Sequence, residues 1–178
     1  DLHSFPTRRS SDLEIALVVT ADHGHINSES AFLRDYPEII ECLERLPSFE
    51  PRALNLFAKK GKEKELEERF NKAFGEKFTL LSKDEVFRMK LFGTGKPHKE
   101  FRGMLGDYLA IATGNLSIFF NKDRWKSSHG SITADEVLIP LIFFNHRDGS
   151  LIEKQVVKST GNKGLSKIIN QSQNRPGD

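Results

Sequence analysis

The feature that most constrains this chain is an apolar segment that ends in a carboxylate, two imidazoles and a glycine within four residues. Residues 15–21 (IALVVTA) are aliphatic and β-branched without polar alternation, which predicts a strand buried on both faces inside a parallel sheet covered by helices. Asp22, His23, Gly24 and His25 follow at once. Ligands of open α/β sheets gather at the carboxyl ends of strands, so these residues mark a candidate active-site edge, where Gly24 permits a sharp turn.

Length, charge and cysteine content indicate one globular domain and exclude several partners. The chain has 178 residues, of which 37% are hydrophobic, enough for a substantial core. Its 27 basic and 25 acidic residues give a net charge of +2, too balanced to indicate binding to a nucleic-acid polymer. Cys42 is the single cysteine, so no intrachain disulfide is possible. Because no apolar run approaches the roughly 20 residues of a membrane span, we predict a cytoplasmic protein.

The first thirteen residues are excluded from the fold prediction. Residues 1–13 (DLHSFPTRRSSDL) have neither helical nor strand periodicity and resemble the translation of a DNA-sequencing adapter. We therefore expect the natural sequence to begin upstream of Glu14, with a targeting signal that this chain does not define.

The central part of the chain predicts a small lobe of alternating elements over about 47–120. A helix is expected to begin at Asp35-Tyr36-Pro37 and to present Ile39, Ile40, Leu43 and Leu46 on one face until Pro47. Strands at 53–58 and 77–81 flank a helix at 62–74, whose stripe is Leu66, Phe70, Ala73 and Phe74. Residues 51–81 would thus form a β-α-β unit.

Local signals predict the remaining elements. Ser82 and Glu85, and likewise Thr133 and Glu136, have the S/T-x-x-E spacing of a capping box, which opens a helix. The expected strands are 107–113 and 116–120, joined as a hairpin by a turn at Gly114-Asn115, then 138–144 and 152–157. Residues 161–178 are polar and glycine-containing, and are predicted to be disordered.

Asp22, His23, His25 and His129 are the one concentrated set of metal-capable side chains in the sequence. A carboxylate with neutral imidazoles suits Zn²⁺ or Mn²⁺. Spacing alone leaves a second interpretation open, in which the Asp-His pair is a surface turn or helix cap and His129 is a hydrogen-bonding loop residue. His98 and His146 have no such context and are predicted to lie on the surface, and His3 falls in the excluded segment.

The order of these motifs resembles the alkaline phosphatase superfamily. An apolar strand, T-A-D-H-G at 20–24, an inserted lobe, then H-G at 129–130 before T-x-x-E and L-I-P-L-I is similar to the C-terminal half of its type I phosphodiesterase and nucleotide pyrophosphatase branch. The segments LFGTG at 91–95 and GDYLAIA at 106–112 are also similar to bacterial members. The resemblance covers roughly 14–145. Where members commonly have glycine or alanine and then leucine after H-G, this chain has Ser131-Ile132.

The resemblance implies an α/β fold, as the C-terminal part of a mostly parallel, helix-covered sheet with a small inserted β-α-β lobe. Residues 14–160 would form a partial domain of this type. It also implies two divalent cations, with Zn²⁺ preferred to Mn²⁺, and a small phosphoester substrate. Asp22 and His23 correspond to ligands of the metal that holds the nucleophile, and His129 to a ligand of the second metal. His25 has no firm counterpart, so it is expected to line the substrate pocket or to orient a ligand.

The family's nucleophile and its D-x-x-x-H ligands do not occur between residues 14 and 178. The resemblance therefore implies a hydrolase parent, a metal-dependent phosphodiesterase or nucleotide pyrophosphatase, and a fragment that is inactive alone. The nature of the phosphoester and the oligomeric state stay open.

Two other interpretations make distinguishable predictions. In a metal-dependent amidohydrolase, His23-Gly24-His25 would be an H-x-H ligand pair, and His129 need not approach it. In a non-catalytic interaction domain, the candidate ligands would lie apart and point into solvent. The phosphatase interpretation requires His129 to lie close to Asp22 and His23.

Overall fold

The structure, a computed structural model, describes residues 16–121, 125–145 and 151–153. Its strands are β1 Ala16–Thr20, β2 Ile26–Asn27, β3 Glu29–Phe32, β4 Ser48–Glu50, β5 Ala53–Leu56, β6 Phe78–Ser82, β7 Tyr108–Ala112, β8 Leu116–Phe119, β9 Ser127–Ser128, β10 Leu141–Asn145 and β11 Leu151–Glu153. Its α-helices are α1 Pro37–Ile40, α2 Glu63–Phe74, α3 Lys83–Arg88, α4 Phe101–Met104 and α5 Ala134–Val137, and a 3₁₀ helix spans Leu33–Asp35. The α/β class predicted from the sequence is confirmed.

A four-stranded antiparallel sheet, in the order β4-β5-β7-β6, forms the centre of the described core. Helix α2 packs against it through Leu66, Phe70 and Phe74, which are spaced four residues apart and are buried. This spacing places one apolar stripe on one helix face. Ala73, which the sequence assigned to the same stripe, is exposed. The rings of Phe70, Phe74 and Phe78 pack in tilted and edge-on arrangements, the geometries that aromatic pairs favour.

Helix α3 begins with the capping box that the sequence predicts. The Ser82 hydroxyl accepts a hydrogen bond from the Glu85 backbone N–H at 3.3 Å, and the Ser82 backbone N–H donates to the Glu85 carboxylate at 2.9 Å. The Ser82 hydroxyl also donates to the Glu85 carboxylate at 2.7 Å. This hydrogen bond, and then the one from the Ser82 backbone N–H, lower the pKa of Glu85. The cap lets the chain turn directly from β6 into a helix.

The prediction that the first strand is buried on both faces is wrong for this chain. Leu17, Val18 and Val19 are 45%, 53% and 41% exposed. Strand β1 pairs antiparallel with β10, and β10 in turn with β11. Within the described ranges, no further strand joins this sheet and no helix makes extensive contact with it. The apolar sequence of β1 is typical of a buried strand, but the other described residues do not cover it.

The sequence predicted a mostly parallel sheet, but the described strands pair mainly antiparallel. The parallel pair among the described strands is β3 with β8, and the other pairings are antiparallel. Strands β7 and β8 do not form the predicted hairpin, since β7 lies between β5 and β6 whereas β8 pairs with β3. The turn at Gly114-Asn115 thus carries the chain from one sheet to another. Strands β5 and β6 of the predicted β-α-β unit both pair with β7.

The helix predicted from Asp35 onward is shorter than expected. Helix α1 ends at Ile40, and Leu43 instead forms a β-bridge with Ala58, while Leu46 is exposed. Apolar spacing cannot distinguish a continuing helix from a turn whose backbone pairs with a strand. Cys42 is buried in this turn.

Several predictions fall outside the described residues. These are the adapter-like residues 1–13, His146, most of the strand at 152–157 and the tail at 161–178. Among the described helices, none combines the length and the apolarity needed to cross a bilayer.

Candidate metal centre

Two short strands bring the histidines together. Strand β2 follows His25 directly and pairs antiparallel with β9, which directly precedes His129. The register matches Ile26 with Ser128. One step further along the same register, His25 is opposite His129. Side chains that face each other across adjacent antiparallel strands lie close together. A two-residue ladder therefore joins positions 104 residues apart in the sequence.

The three imidazoles form one cluster. The rings of His23 and His129 stack with centroids 3.7 Å apart and planes 10° from parallel. The His25 ring lies 5.0 Å from His23 and 4.8 Å from His129. One ring nitrogen of each histidine can be chosen so that all three lie within 4.8 Å of one another. Ligand atoms this close to one another could hold a metal ion.

The hydrogen bonding of His23 leaves one ring nitrogen available as a ligand. Its Nδ1 lies 2.9 Å from the Gly24 carbonyl oxygen. Because a carbonyl only accepts, that contact is a hydrogen bond when Nδ1 carries the proton, and the Nε2 lone pair is then free. Metal-ligating histidines characteristically donate their other N–H in this way.

Asp22 lies beside that free nitrogen. The distance from its Oδ2 to His23 Nε2 is 3.4 Å. Two ligands of a tetrahedral Zn²⁺, each about 2.0 Å from the ion, lie about 3.3 Å apart. Without a proton on Nε2 the two atoms face each other as acceptors, which a shared cation would satisfy. The donor set of carboxylate and imidazole therefore fits a borderline divalent cation.

Asp22 is exposed and outside the three-histidine cluster. Its side chain is 87% exposed, and the ligand atoms that converge among the described residues are the three imidazoles. The hydrogen bond from the His23 backbone N–H, 3.0 Å from Oδ1, is the largest cause that lowers the pKa of Asp22. The carboxylate is thus ionised at neutral pH and accessible from solvent.

Gly24 allows the first histidine loop to pack against helix α5. A Cβ added at Gly24 would lie 1.8 Å from the Asp135 carbonyl oxygen, so no other residue fits without a backbone shift. The Gly24 backbone N–H donates to the Glu136 carbonyl oxygen at 2.9 Å. The glycine predicted to permit a turn therefore permits a close backbone contact.

A buried ion pair beside the site was missed by the sequence analysis. Arg52 and Glu136 are 0% and 2% exposed. The Arg52 Nε donates to Glu136 Oε1 at 2.7 Å, and its second terminal nitrogen donates to Oε2 at 2.9 Å. Removing one partner of such a pair typically costs about 3–5 kcal/mol. The T-x-x-E motif singled out Glu136 in the sequence. No sequence pattern indicated that Arg52 is its partner.

The second capping box differs from the prediction. Helix α5 does begin after Thr133, but no side-chain cap forms there. The Thr133 hydroxyl instead donates to the Glu136 carboxylate. Glu136 is engaged with Arg52, so its carboxylate does not return to the N-cap backbone as a capping box requires.

The loop after His129 lies close to strand β4. Gly130 has φ +111°, and a Cβ there would lie 2.5 Å from the Glu50 Cβ. A largely apolar cavity of about 320 Å³ lies beside it, with Phe49, Phe92 and Ile132 among its lining residues. His98 is exposed, as predicted, and lines a separate cavity of about 360 Å³.

Sequence comparisons give no family assignment. No family model matches the chain, and no curated protein matches it significantly.

Solved structures share the fold. The chain is similar to murine ectonucleotide pyrophosphatase/phosphodiesterase 5 with a TM-score of 0.51, and to the human protein with a TM-score of 0.52, both at 20% identity. An inactive variant of the murine protein in complex with AMP matches equally, with a TM-score of 0.51. Each match covers 74% of this chain and 33% of the other. The resemblance stated from the sequence is thus confirmed at the level of the fold, and the chain spans about a third of those proteins.

Proposed function

We propose that this chain carries part of the metal centre of a two-metal phosphoester hydrolase. The observation that supports this most directly is the stacking of His129 on His23, with ring centroids 3.7 Å apart. The hydrolase interpretation required this approach, whereas an amidohydrolase did not and an interaction domain predicted separated, solvent-directed ligands. The fold shared with the phosphodiesterase structures agrees with it.

The proposed ligands divide between two cations. Asp22 and His23, whose ligand atoms are 3.4 Å apart, would hold the first cation, and His129 would contribute to the second. His25 lies within reach of both other imidazoles and would line the substrate pocket or orient a ligand. Zn²⁺ suits imidazole ligands better than Mn²⁺ does.

The bound cations would supply Lewis-acid stabilisation of the phosphate charge and lower the pKa of the attacking hydroxyl or water. The residues of this chain would contribute by orienting ligands. The Gly24 carbonyl orients the His23 ring through its hydrogen bond with Nδ1, and the Asp22 carboxylate is accessible from solvent. A pre-oriented ligand set of this kind avoids reorganisation during the reaction.

The proposed substrate is a small phosphoester, and a nucleotide is one candidate. The murine structure in complex with AMP supports this class. The nucleophile and the remaining ligands are expected from residues that lie outside this sequence, so we propose that the chain alone does not turn over substrate.

Metal titration of the chain tests the proposal. Isothermal titration with Zn²⁺ and then Mn²⁺ should show binding by the wild-type chain, with Zn²⁺ tighter. His23→Ala and His129→Ala should each weaken binding at least tenfold. His98→Ala is the matched control, because His98 lies outside the cluster, and it should bind like the wild type. Equal affinity in all four proteins would refute the metal centre.

A turnover assay tests the second part. Hydrolysis of bis-(p-nitrophenyl) phosphate with saturating Zn²⁺ should stay at the buffer rate for the chain alone. Turnover that His129→Ala abolishes would show that the chain holds its own nucleophile and would overturn the fragment proposal.

A further inference from the structure

Glu136 lies between the two loops that carry the histidines. Its backbone carbonyl accepts the hydrogen bond from Gly24, which separates His23 from His25. Its side-chain Oε1 accepts from the backbone N–H of Ser131, two residues after His129, at 3.0 Å. One residue therefore contacts the first loop through its main chain and the second through its carboxylate.

Arg52 fixes the carboxylate in place. Besides the bidentate contact with Glu136, its guanidinium donates to the carbonyl oxygens of Leu116 at 3.0 Å and of Gly114 at 2.9 Å. Arg52 follows β4 and precedes β5, whereas Gly114 lies in the turn between β7 and β8 and Leu116 is the first residue of β8. The planar fork of arginine suits such a bidentate arrangement, which a lysine could not reproduce. The pair thus ties the histidine loops to the central sheet.

The second loop has one more attachment to that sheet. The Ser131 hydroxyl donates to the carbonyl of Ala112 at the end of β7. Together with the Glu136 carboxylate, this contact leaves little freedom to the backbone that leads away from His129.

Glu136 acts here as an acceptor at every side-chain contact. Burial by itself would raise the pKa of Glu136, but the hydrogen bonds from Arg52, Thr133 and Ser131, with the charge of Arg52, outweigh it and lower the pKa. All of its side-chain partners are donors. An amide in its place would present a donor to at least one of them.

We propose that Glu136, held by Arg52, is a positioning residue that sets the separation of the His23 and His129 loops and thereby the metal affinity of the centre. This inference rests on the proposed function, since it assigns a role relative to that metal centre. Residues that orient metal ligands typically change metal affinity by about 10–100-fold when substituted.

The test compares Glu136→Gln with a control that damages another buried polar network. Asn55 is 1% exposed, accepts from the Gly106 backbone N–H at 2.6 Å and donates to the Met104 carbonyl at 3.1 Å. It lies in β5 of the same sheet, and its side-chain hydrogen bonds join Ser48, Met104 and Gly106, which are not in the histidine loops. Asn55→Ala therefore reports the effect of lost stability alone.

Isothermal titration with Zn²⁺, and the visible absorption of Co²⁺ as a probe of coordination, should distinguish the variants. Glu136→Gln should bind Zn²⁺ about 10–100-fold more weakly and give an altered Co²⁺ spectrum. Asn55→Ala should melt at a lower temperature yet keep wild-type affinity and spectrum. Wild-type affinity in folded Glu136→Gln, or an equal loss in Asn55→Ala, would overturn the inference.

Two further measurements keep the test decisive. If Glu136→Gln does not fold, Thr133→Val removes a single hydroxyl donor and should weaken Zn²⁺ binding several-fold, whereas wild-type affinity there would count against the inference. Amide hydrogen exchange without metal separates the two proposals. Faster exchange at 23–25 and 129–131 in Glu136→Gln would show that Glu136 holds the two loops. If the wild type bound no Zn²⁺, the proposed function and the claim on metal affinity would both fail, while the loop-holding role would stand. Unchanged exchange would overturn the positioning role.

Discussion

Substituting alanine for Gly24 should disturb both the fold and the metal centre. The added Cβ would lie 1.8 Å from the Asp135 carbonyl oxygen and 2.9 Å from its carbon. Non-bonded heavy atoms settle at about 3.5 Å, so the two backbones must separate by more than about 1.5 Å. The hydrogen bond from the Gly24 N–H to the Glu136 carbonyl, now 2.9 Å, would not survive that movement.

The cost follows from these two effects. Overpacking against a rigid neighbour costs about 1–3 kcal/mol, and loss of the hydrogen bond costs about 1 kcal/mol. We therefore expect Gly24→Ala to lower the free energy of unfolding by about 2–4 kcal/mol, which corresponds to roughly 5–15 °C in Tm for a chain of this size. Because His23 and His25 flank the glycine, metal affinity should fall as well.

Urea denaturation followed by circular dichroism, with Zn²⁺ titration, measures both effects. Gly103→Ala is the control, since a Cβ there meets nothing within 4 Å and the residue lies in helix α4. Alanine at that position should be neutral or stabilise by up to about 1 kcal/mol. If Gly24→Ala unfolds within about 0.5 kcal/mol of the wild type, the close backbone contact does not exist in solution.

Three further perturbations test other parts of the structure. Ser82→Ala removes the hydroxyl that accepts from the Glu85 N–H, and urea denaturation should show a loss of about 1 kcal/mol; an unchanged midpoint would contradict the capping box. Phe70→Ala empties a fully buried position in the core and should cost about 3–5 kcal/mol, whereas a loss below about 1 kcal/mol would contradict the packing of α2. Because the pKa of Glu136 is lowered in the folded chain, acidification protonates Glu136 in the unfolded chain at a higher pH than in the folded chain. The stability it contributes is therefore present above the ordinary glutamate pKa of about 4.3 and is lost as pH falls through its folded value. Denaturation between pH 3 and 7 should show this loss, less steeply in Glu136→Gln, and equal slopes in both proteins would contradict it.

The sequence predicted elements that depend on local signals. Helix α2 and its stripe of Leu66, Phe70 and Phe74, and the Ser82-Glu85 cap, are patterns within one or two turns of chain. Strand pairing depends on partners distant in sequence. The supposed hairpin around Gly114 failed for that reason, since two adjacent strands each had a better partner elsewhere.

In the candidate site, too, the sequence predicts some features and not others. Asp22, His23, His25 and His129 were identified by residue type, and the approach of His129 was expected from the order of motifs. How it approaches was not predictable, because the two-residue strands β2 and β9 are too short to have a hydrophobic period. A buried Arg52 also cannot be recognised from sequence, since arginine is ordinarily exposed and is buried here because its partners all come from other segments.

The contrast between an exposed first strand and a buried support explains how this chain can hold its histidines in place. Strand β1 leads into Asp22 but is covered poorly among the described residues, with Val18 53% exposed. The histidine loops do not depend on that strand alone. They are fastened to the central sheet through Glu136 and Arg52, both nearly inaccessible to solvent. Weakening β1, for example by Val18→Thr, should therefore change metal affinity less than Glu136→Gln does, because the geometry of the cluster is set from the buried side.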